Sequence, residues 1–273
     1  MSQTAGPALG QTASDGAASD GASPRDTPQL IHEDARLRVT YLPARGVGAR
    51  PSELVVAFSG IGHGLGGMQT EEFAGSAAEK GGRNHVLFIT DKQRSWFSAP
   101  GLMDEITDHV RKIAAQVGVS SCVTIGNSMG GYGAVRLSRE FPVSCAVAFS
   151  PQFSMHPEIV VETRWEEHRP FIDLARHLPL SDCMAPPARY YLVFGGSSRS
   201  ETKHRDLFPV FDGVTILSLP GAGHNIVQKI KDFGLLTTLV QALFAHDTAQ
   251  IEQIVARYHQ SLAAAAAETA SKT

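Results

Sequence analysis

The stretch from Cys122 to Ala134, Cys-Val-Thr-Ile-Gly-Asn-Ser-Met-Gly-Gly-Tyr-Gly-Ala, constrains this chain more than any other. A β-branched apolar run ends at Gly126, Ser128 follows two residues later, and Gly130, Gly131 and Gly133 lie on the opening turns of a helical pattern over Met129–Phe141. Strand, sharp turn and helix in that order place a serine at a strained bend. Residues two positions to either side of it are pressed together, and a Cβ there would clash. The bend exposes the hydroxyl, and the helix N-terminus behind it favours developing negative charge. Ser128 is the candidate nucleophile.

The surrounding chain supplies the sheet such a bend requires. Apolar, β-branched runs at Leu37–Leu42, Leu54–Phe58, Val86–Thr90, Cys122–Ile125, Cys145–Phe149, Tyr190–Phe194 and Val214–Leu219 read as strands. The central runs are apolar on both faces, as parallel strands covered on each side are. Helical patterns alternate with them at Gly67–Lys80, Leu102–Val117, Met129–Phe141, Glu158–His168, Phe171–His177, Lys203–Phe208 and Phe233–His246. The expected fold is α/β, a mostly parallel central sheet flanked by helices, in one domain over residues 30–260. A short insertion over about 151–189 is placed to act as a lid. Residues 1–29 are nearly all Ala, Gly, Ser, Thr, Gln, Asp and Pro, and read as a disordered tail. Residues 261–273, rich in alanine, read as a flexible C-terminal tail.

Composition narrows the function. With 24 basic against 27 acidic residues there is no basic stripe to follow a phosphate backbone, so nucleic acid is not an expected partner. No window approaches the ~18 apolar residues of a membrane span. Cys122, Cys145 and Cys183 lie in apolar surroundings without a C-x-x-C, which reads as buried free thiols in a reducing compartment; with no secretory signal pattern, the expected location is cytoplasmic.

The elbow Gly126-Asn-Ser-Met-Gly-Gly resembles that of esterase-like bacterial members of the α/β-hydrolase superfamily, over residues 35–246. The resemblance implies a triad in the chain order serine, acid, histidine. His224, in Gly221-Ala-Gly-His-Asn after the last strand run, holds the family's histidine position. The acid belongs after Tyr190–Phe194, where the family shows an Asp close to the strand end; here Glu201 is the nearer carboxylate and Asp206 the alternative. The oxyanion hole would take one N–H from Met129 and one from Ile61 or Gly60, in the loop Phe58-Ser-Gly-Ile-Gly-His-Gly.

Candidates for substrate contact are His63 in that loop, Arg94 and Trp96 after Val86–Thr90, and Phe153 after Cys145–Phe149; the other reading is an Asp91–Arg94 pair that orders its loop with Trp96 packed beneath, and Phe153 as a helix-packing residue. No H-E-x-x-H or related spacing exists, so no metal or other cofactor is expected. The expected activity is hydrolysis of a small-molecule carboxylic ester through an acyl-enzyme. The same triad would serve an acyltransferase or thioesterase, and a non-catalytic binding protein on this fold is the reading from another class.

Overall fold

The computed structural model describes residues 27–45, 53–62, 68–79 and 82–271. Eight strands form one sheet: β1 (Gln29–Glu33), β2 (Leu37–Leu42), β3 (Leu54–Phe58), β4 (His85–Asp91), β5 (Cys122–Asn127), β6 (Val143–Phe149), β7 (Arg189–Gly195) and β8 (Val214–Leu219). Their order is β1-β2-β4-β3-β5-β6-β7-β8. β1 and β2 pair antiparallel, β2 runs antiparallel to β4, and all later neighbours are parallel.

Alternate residues of each central strand feed opposite cores, which is why those strands are apolar throughout. Val56, Phe58, Leu87, Ile89, Ala146, Ala148, Leu192 and Phe194 face one core. There they meet α2 (Leu102–Val117) through Leu102, Ile106, Val110 and Ile113, and α3 (Met129–Arg136) through Tyr132 and Val135. Val55, Ala57, Val86, Phe88, Val123, Ile125, Cys145, Val147 and Val193 face the other. That side is covered by α1 (Ala74–Ala77), α5 (Ile226–Asp232), α6 (Leu236–Phe244) and α7 (Thr248–Ala270). All three cysteines are buried and free, as their apolar settings imply.

The departures from the sequence reading have local causes. β1 went unread because it is a short edge strand with almost every residue exposed, so no apolar run marks it. Of the helix expected over Gly67–Lys80, the described part is α-helical only at Ala74–Ala77. Between β6 and β7 the expected helices at Glu158–His168 and Phe171–His177 are absent. Apart from 3-10 turns at Glu166–Phe171 and Leu180–Cys183, that segment is irregular, with Glu162 and Arg164 turned inward into ion pairs and Pro170 inside the first turn. α4 spans Arg199–Arg205, four residues ahead of its expected start. Gly234, at φ 69°, holds back the helix expected over Phe233–His246, which starts as α6 at Leu236, and α5 before it went unread. At the C-terminus, α7 continues to Ala270, past the boundary at 260 where a tail was expected. No helix of the described residues is long and apolar enough to cross a membrane.

Candidate active site

Ser128 sits between β5 and α3 with φ 58° and ψ −122°, a conformation that costs a non-glycine residue about 1–3 kcal/mol. Its N–H donates to the Phe149 carbonyl (2.8 Å) and its carbonyl accepts from Tyr132 N–H (3.0 Å), so both flanking elements hold the bend. A Cβ on Gly126 would run into the Gly130 carbonyl, and one on Gly130 into the Phe58 carbonyl. The glycines exist because β3, β5 and the first turn of α3 meet at backbone contact.

His224 arrives on the loop after β8. That loop lies so close over the end of β7 that a side chain at Gly195 would strike the Gly223 carbonyl. Gly221 N–H donates to Ser197 Oγ (2.9 Å) and Ser197 N–H to the Ala222 carbonyl (3.0 Å), pinning the loop. The imidazole then stands with Nε2 2.8 Å from Ser128 Oγ and Nδ1 2.9 Å from Glu201 Oε1. A carboxylate only accepts, so the ring proton belongs on Nδ1 and leaves Nε2 as acceptor for the serine hydroxyl. Asp206, the alternative acid, is exposed and paired with Arg205 (2.7 Å).

Glu201 is 2% exposed. Burial pushes its carboxyl up, but the hydrogen bond and charge of His224, with Arg164, outweigh this and hold it below the usual range. Arg164 Nη1 donates to the same Oε1 (2.8 Å), and its Nε donates to both oxygens of Glu162 (3.0 Å each). Behind them His204 Nδ1 accepts from Phe153 N–H (3.1 Å), which puts the ring proton on Nε2, 2.9 Å from Glu162 Oε2. Those hydrogen bonds keep the Glu162 carboxyl well below its ordinary range in spite of burial. Trp165 closes the near side, its ring centroid 5.4 Å from that of His224 and 5.7 Å from the Arg164 guanidinium.

On the other side of the hydroxyl lies a group no motif announced. Gln152, fully buried, donates from Nε2 to Ser128 Oγ (3.2 Å) and accepts at Oε1 from Trp96 Nε1 (3.0 Å). The hydroxyl oxygen accepts from Gln152, which leaves its own proton directed at His224. Trp96 is wholly buried, oriented by a loop whose Arg94, Trp96 and Phe97 all have positive φ. The Asp91 carboxylate holds that loop, accepting from Ser95 N–H and Oγ (2.8 Å each) and Phe97 N–H (3.0 Å). Arg94 donates to the Ile61 carbonyl (3.1 Å) and the Lys92 carbonyl (2.9 Å). Phe153 packs edge-on against Phe208 in the core. None of these three lines the cavity, because each satisfies its polar or apolar needs inside the fold. His63 lies outside the described residues.

The loop after β3 is tied at three points: the Gly60 carbonyl by Gln69 (2.9 Å), the Ile61 carbonyl by Arg94, and the Gly60 N–H by Glu72 Oε1 (3.2 Å). Gly60 is thus already spoken for as a donor. Among the described residues the N–H groups of Ile61 and Met129 have no hydrogen-bond partner. A cavity of about 1040 Å³ opens over Ser128 and His224, walled by Gly60–Gly62, Glu72, Trp165, Asn225 and the start of α6.

Burial pushes the Glu72 carboxyl up to about 7, opposed in part by the Gly60 N–H. The folded protein then keeps a proton between pH 4.5 and about 7 that the unfolded chain has lost, so this group's contribution to stability falls as pH rises through that window. Glu72→Gln is expected to flatten the dependence, the wild type losing roughly 5–10 °C more in Tm than the variant between pH 5 and pH 8. Parallel Tm–pH curves for the two proteins would discard this account.

The chain has the α/β-hydrolase fold. No family model matches it, and no curated protein matches it in sequence. Solved structures match it in fold. One is an α/β serine hydrolase without a lid from Xanthomonas campestris, at TM-score 0.52 and 17% identity over 81% of this chain and 94% of the other. Another is described as a putative esterase from Staphylococcus aureus (TM-score 0.54, 10% identity, 84% of this chain and 87% of the other). A third is the capsule O-acetyltransferase of Neisseria meningitidis serogroup A (TM-score 0.54, 12% identity, 78% and 93%).

Proposed function

We propose that this protein is a serine hydrolase that cleaves a carboxylic ester through an acyl-enzyme intermediate. The observation that carries the reading is one hydrogen-bonded line, Ser128 Oγ to His224 Nε2 to Glu201 Oε1, at the floor of an open cavity. Ser128 Oγ attacks the acyl carbon while His224 Nε2 removes its proton; Glu201 stays ionised and stabilises the imidazolium. The carbonyl oxygen becomes an oxyanion held by the N–H groups of Ile61 and Met129, a donor pair in which each member is worth about 10²–10³ in rate. His224 returns the proton to the departing alcohol. It then takes one from water, which attacks the acyl-serine, and passes it to Ser128 Oγ as the tetrahedral intermediate collapses to the free carboxylic acid. Glu201 bonded to His224 supports this reading over that of a non-catalytic binding protein on the same fold.

An alkyl fluorophosphonate is expected to label the wild type at Ser128 and to leave Ser128→Ala unlabelled. Undiminished labelling of that variant would overturn the assignment.

One observation favours a second acyl acceptor. The cavity continues beyond the serine to Thr70, Ser76, Asn225, Gln228 and Thr237, groups able to hydrogen-bond a hydroxylated molecule. Similarity of fold to an O-acetyltransferase agrees with this. Partition of the acyl group between water and an added alcohol during turnover of an aryl ester separates hydrolysis from transfer.

A further inference from the structure

At the edge of the sheet, away from the residues of the catalytic line, three metal-ligating side chains converge. Glu105 and His109 are four residues apart on α2 and share one face of that helix. His32 comes from edge strand β1, and its ring centroid is 5.0 Å from that of His109. One ligand atom from each of the three lies within 4.8 Å of the others. His32 Nε2 is 3.1 Å from Glu105 Oε1, yet this buried nitrogen makes no hydrogen bond. Its nearest polar neighbour is that carboxylate oxygen, placed without hydrogen-bond geometry, an arrangement a buried polar atom tolerates poorly.

We propose that His32, Glu105 and His109 bind a divalent transition-metal ion of the zinc type, which fastens β1 to α2. Bonds of about 2.0–2.2 Å in a tetrahedron set neighbouring ligand atoms roughly 3.3–3.5 Å apart. The His32–Glu105 pair already has nearly that spacing, and the His109 ligand atom lies within 4.8 Å of both. Two imidazoles and one carboxylate suit zinc, cobalt, nickel or copper rather than calcium or magnesium, which prefer all-oxygen shells. The carboxylate is pre-oriented: Arg36 Nη2 donates to Glu105 Oε2 (2.9 Å) and Nη1 to the Pro100 carbonyl (2.9 Å), which leaves Oε1 facing the histidines. Arg36 and Lys112 place positive charge near the ion and Asp108 negative charge, so affinity rests on the ligand bonds rather than on the local field. All three ligand residues are partly exposed, so an ion has a path in and water a fourth position. Sequence spacing could not reveal the site because His32 is brought in from a strand far along the chain from α2.

The test uses the full-length chain without a histidine tag, stripped with a chelator and titrated with ZnCl₂ by calorimetry at pH 7.5. One equivalent of Zn²⁺ is expected to bind and to raise Tm. His32→Ala and His109→Ala should each weaken binding by more than the roughly 10–100-fold that loss of an outer-shell partner costs. His259→Ala, on the exposed face of α7, should bind as the wild type does. The metal-free Tm of each variant shows that it is folded. Absent binding by the wild type, or unchanged affinity in both ligand variants, would overturn the proposal, as would equal loss in His259→Ala. X-ray absorption of the Zn²⁺-loaded protein should show two imidazoles.

Discussion

His224→Ala is expected to lower kcat on a short p-nitrophenyl ester by about 10⁶-fold, Ser128→Ala by about as much, and the double variant by no more than either. The equality is the sharper part of the expectation. With Nε2 2.8 Å from Oγ, the imidazole has one task at the start of the reaction, removal of the hydroxyl proton. Without the hydroxyl there is nothing for the base to activate, and without the base the hydroxyl is a poor nucleophile at neutral pH. Two groups that act as one unit fail together, so their costs do not add. What survives in all three variants is binding and the oxyanion donors, which typically leave a residual 10³–10⁴ over water. Single-turnover rates on the three variants measure this directly. A double variant slower than both singles by tenfold or more would mean that Ser128 and His224 act separately, and the catalytic reading would fall.

How much of this was legible in the chain follows from where the information lies. Central strands carry their own signature, because a β-branched run such as Leu54–Phe58 can bury both faces only inside a covered parallel sheet. β1 carries none, since an exposed edge strand is fixed by the neighbour it pairs with rather than by its own residues. The segment between β6 and β7 misled for a related reason. Apolar residues such as Trp165 and Ile172 recur there at nearly helical intervals, but the backbone is set by the inward pull of Glu162 and Arg164 on partners in α4.

The site divides in the same way. Ser128 and His224 stand out because glycines crowd around them for steric reasons that a sequence displays. Gln152 and Arg164 do not: each is an ordinary polar residue whose meaning comes from one contact, at Ser128 Oγ and Glu201 Oε1 respectively. Trp96 reaches Ser128 only through Gln152, from inside the fold rather than from the cavity. Positive φ at Arg94, Trp96 and Phe97 turns the indole inward, and nothing in Asp-Lys-Gln-Arg-Ser-Trp-Phe forecasts three such residues without a glycine. The strain becomes intelligible only beside the Asp91 carboxylate that accepts the loop's N–H groups.

The choice between Glu201 and Asp206 yields the second large effect. Glu201→Ala is expected to cost about 10⁴ in kcat, because the acid member of such a triad fixes the tautomer and steadies the imidazolium. Asp206→Asn should remain within twofold of wild type, since that carboxylate is exposed and occupied by Arg205. Glu201→Gln is the informative intermediate. Both His224 Nδ1–H and Arg164 Nη1 donate to Oε1, so the two donors would hold the amide with its carbonyl oxygen in that place. The tautomer is then kept and only the negative charge is lost, and the rate should fall well short of the alanine variant's loss. Arg164 thereby acts as a positioning residue for the acid. Without its donor the amide could turn its NH₂ toward Nδ1, forcing the proton onto Nε2 and leaving Ser128 without a base. Measured kcat for the three variants, with Tm to show that each is folded, orders them. An Asp206→Asn loss matching that of Glu201→Ala, or a Glu201→Ala variant within tenfold of wild type, would return the acid to the open alternatives of the sequence.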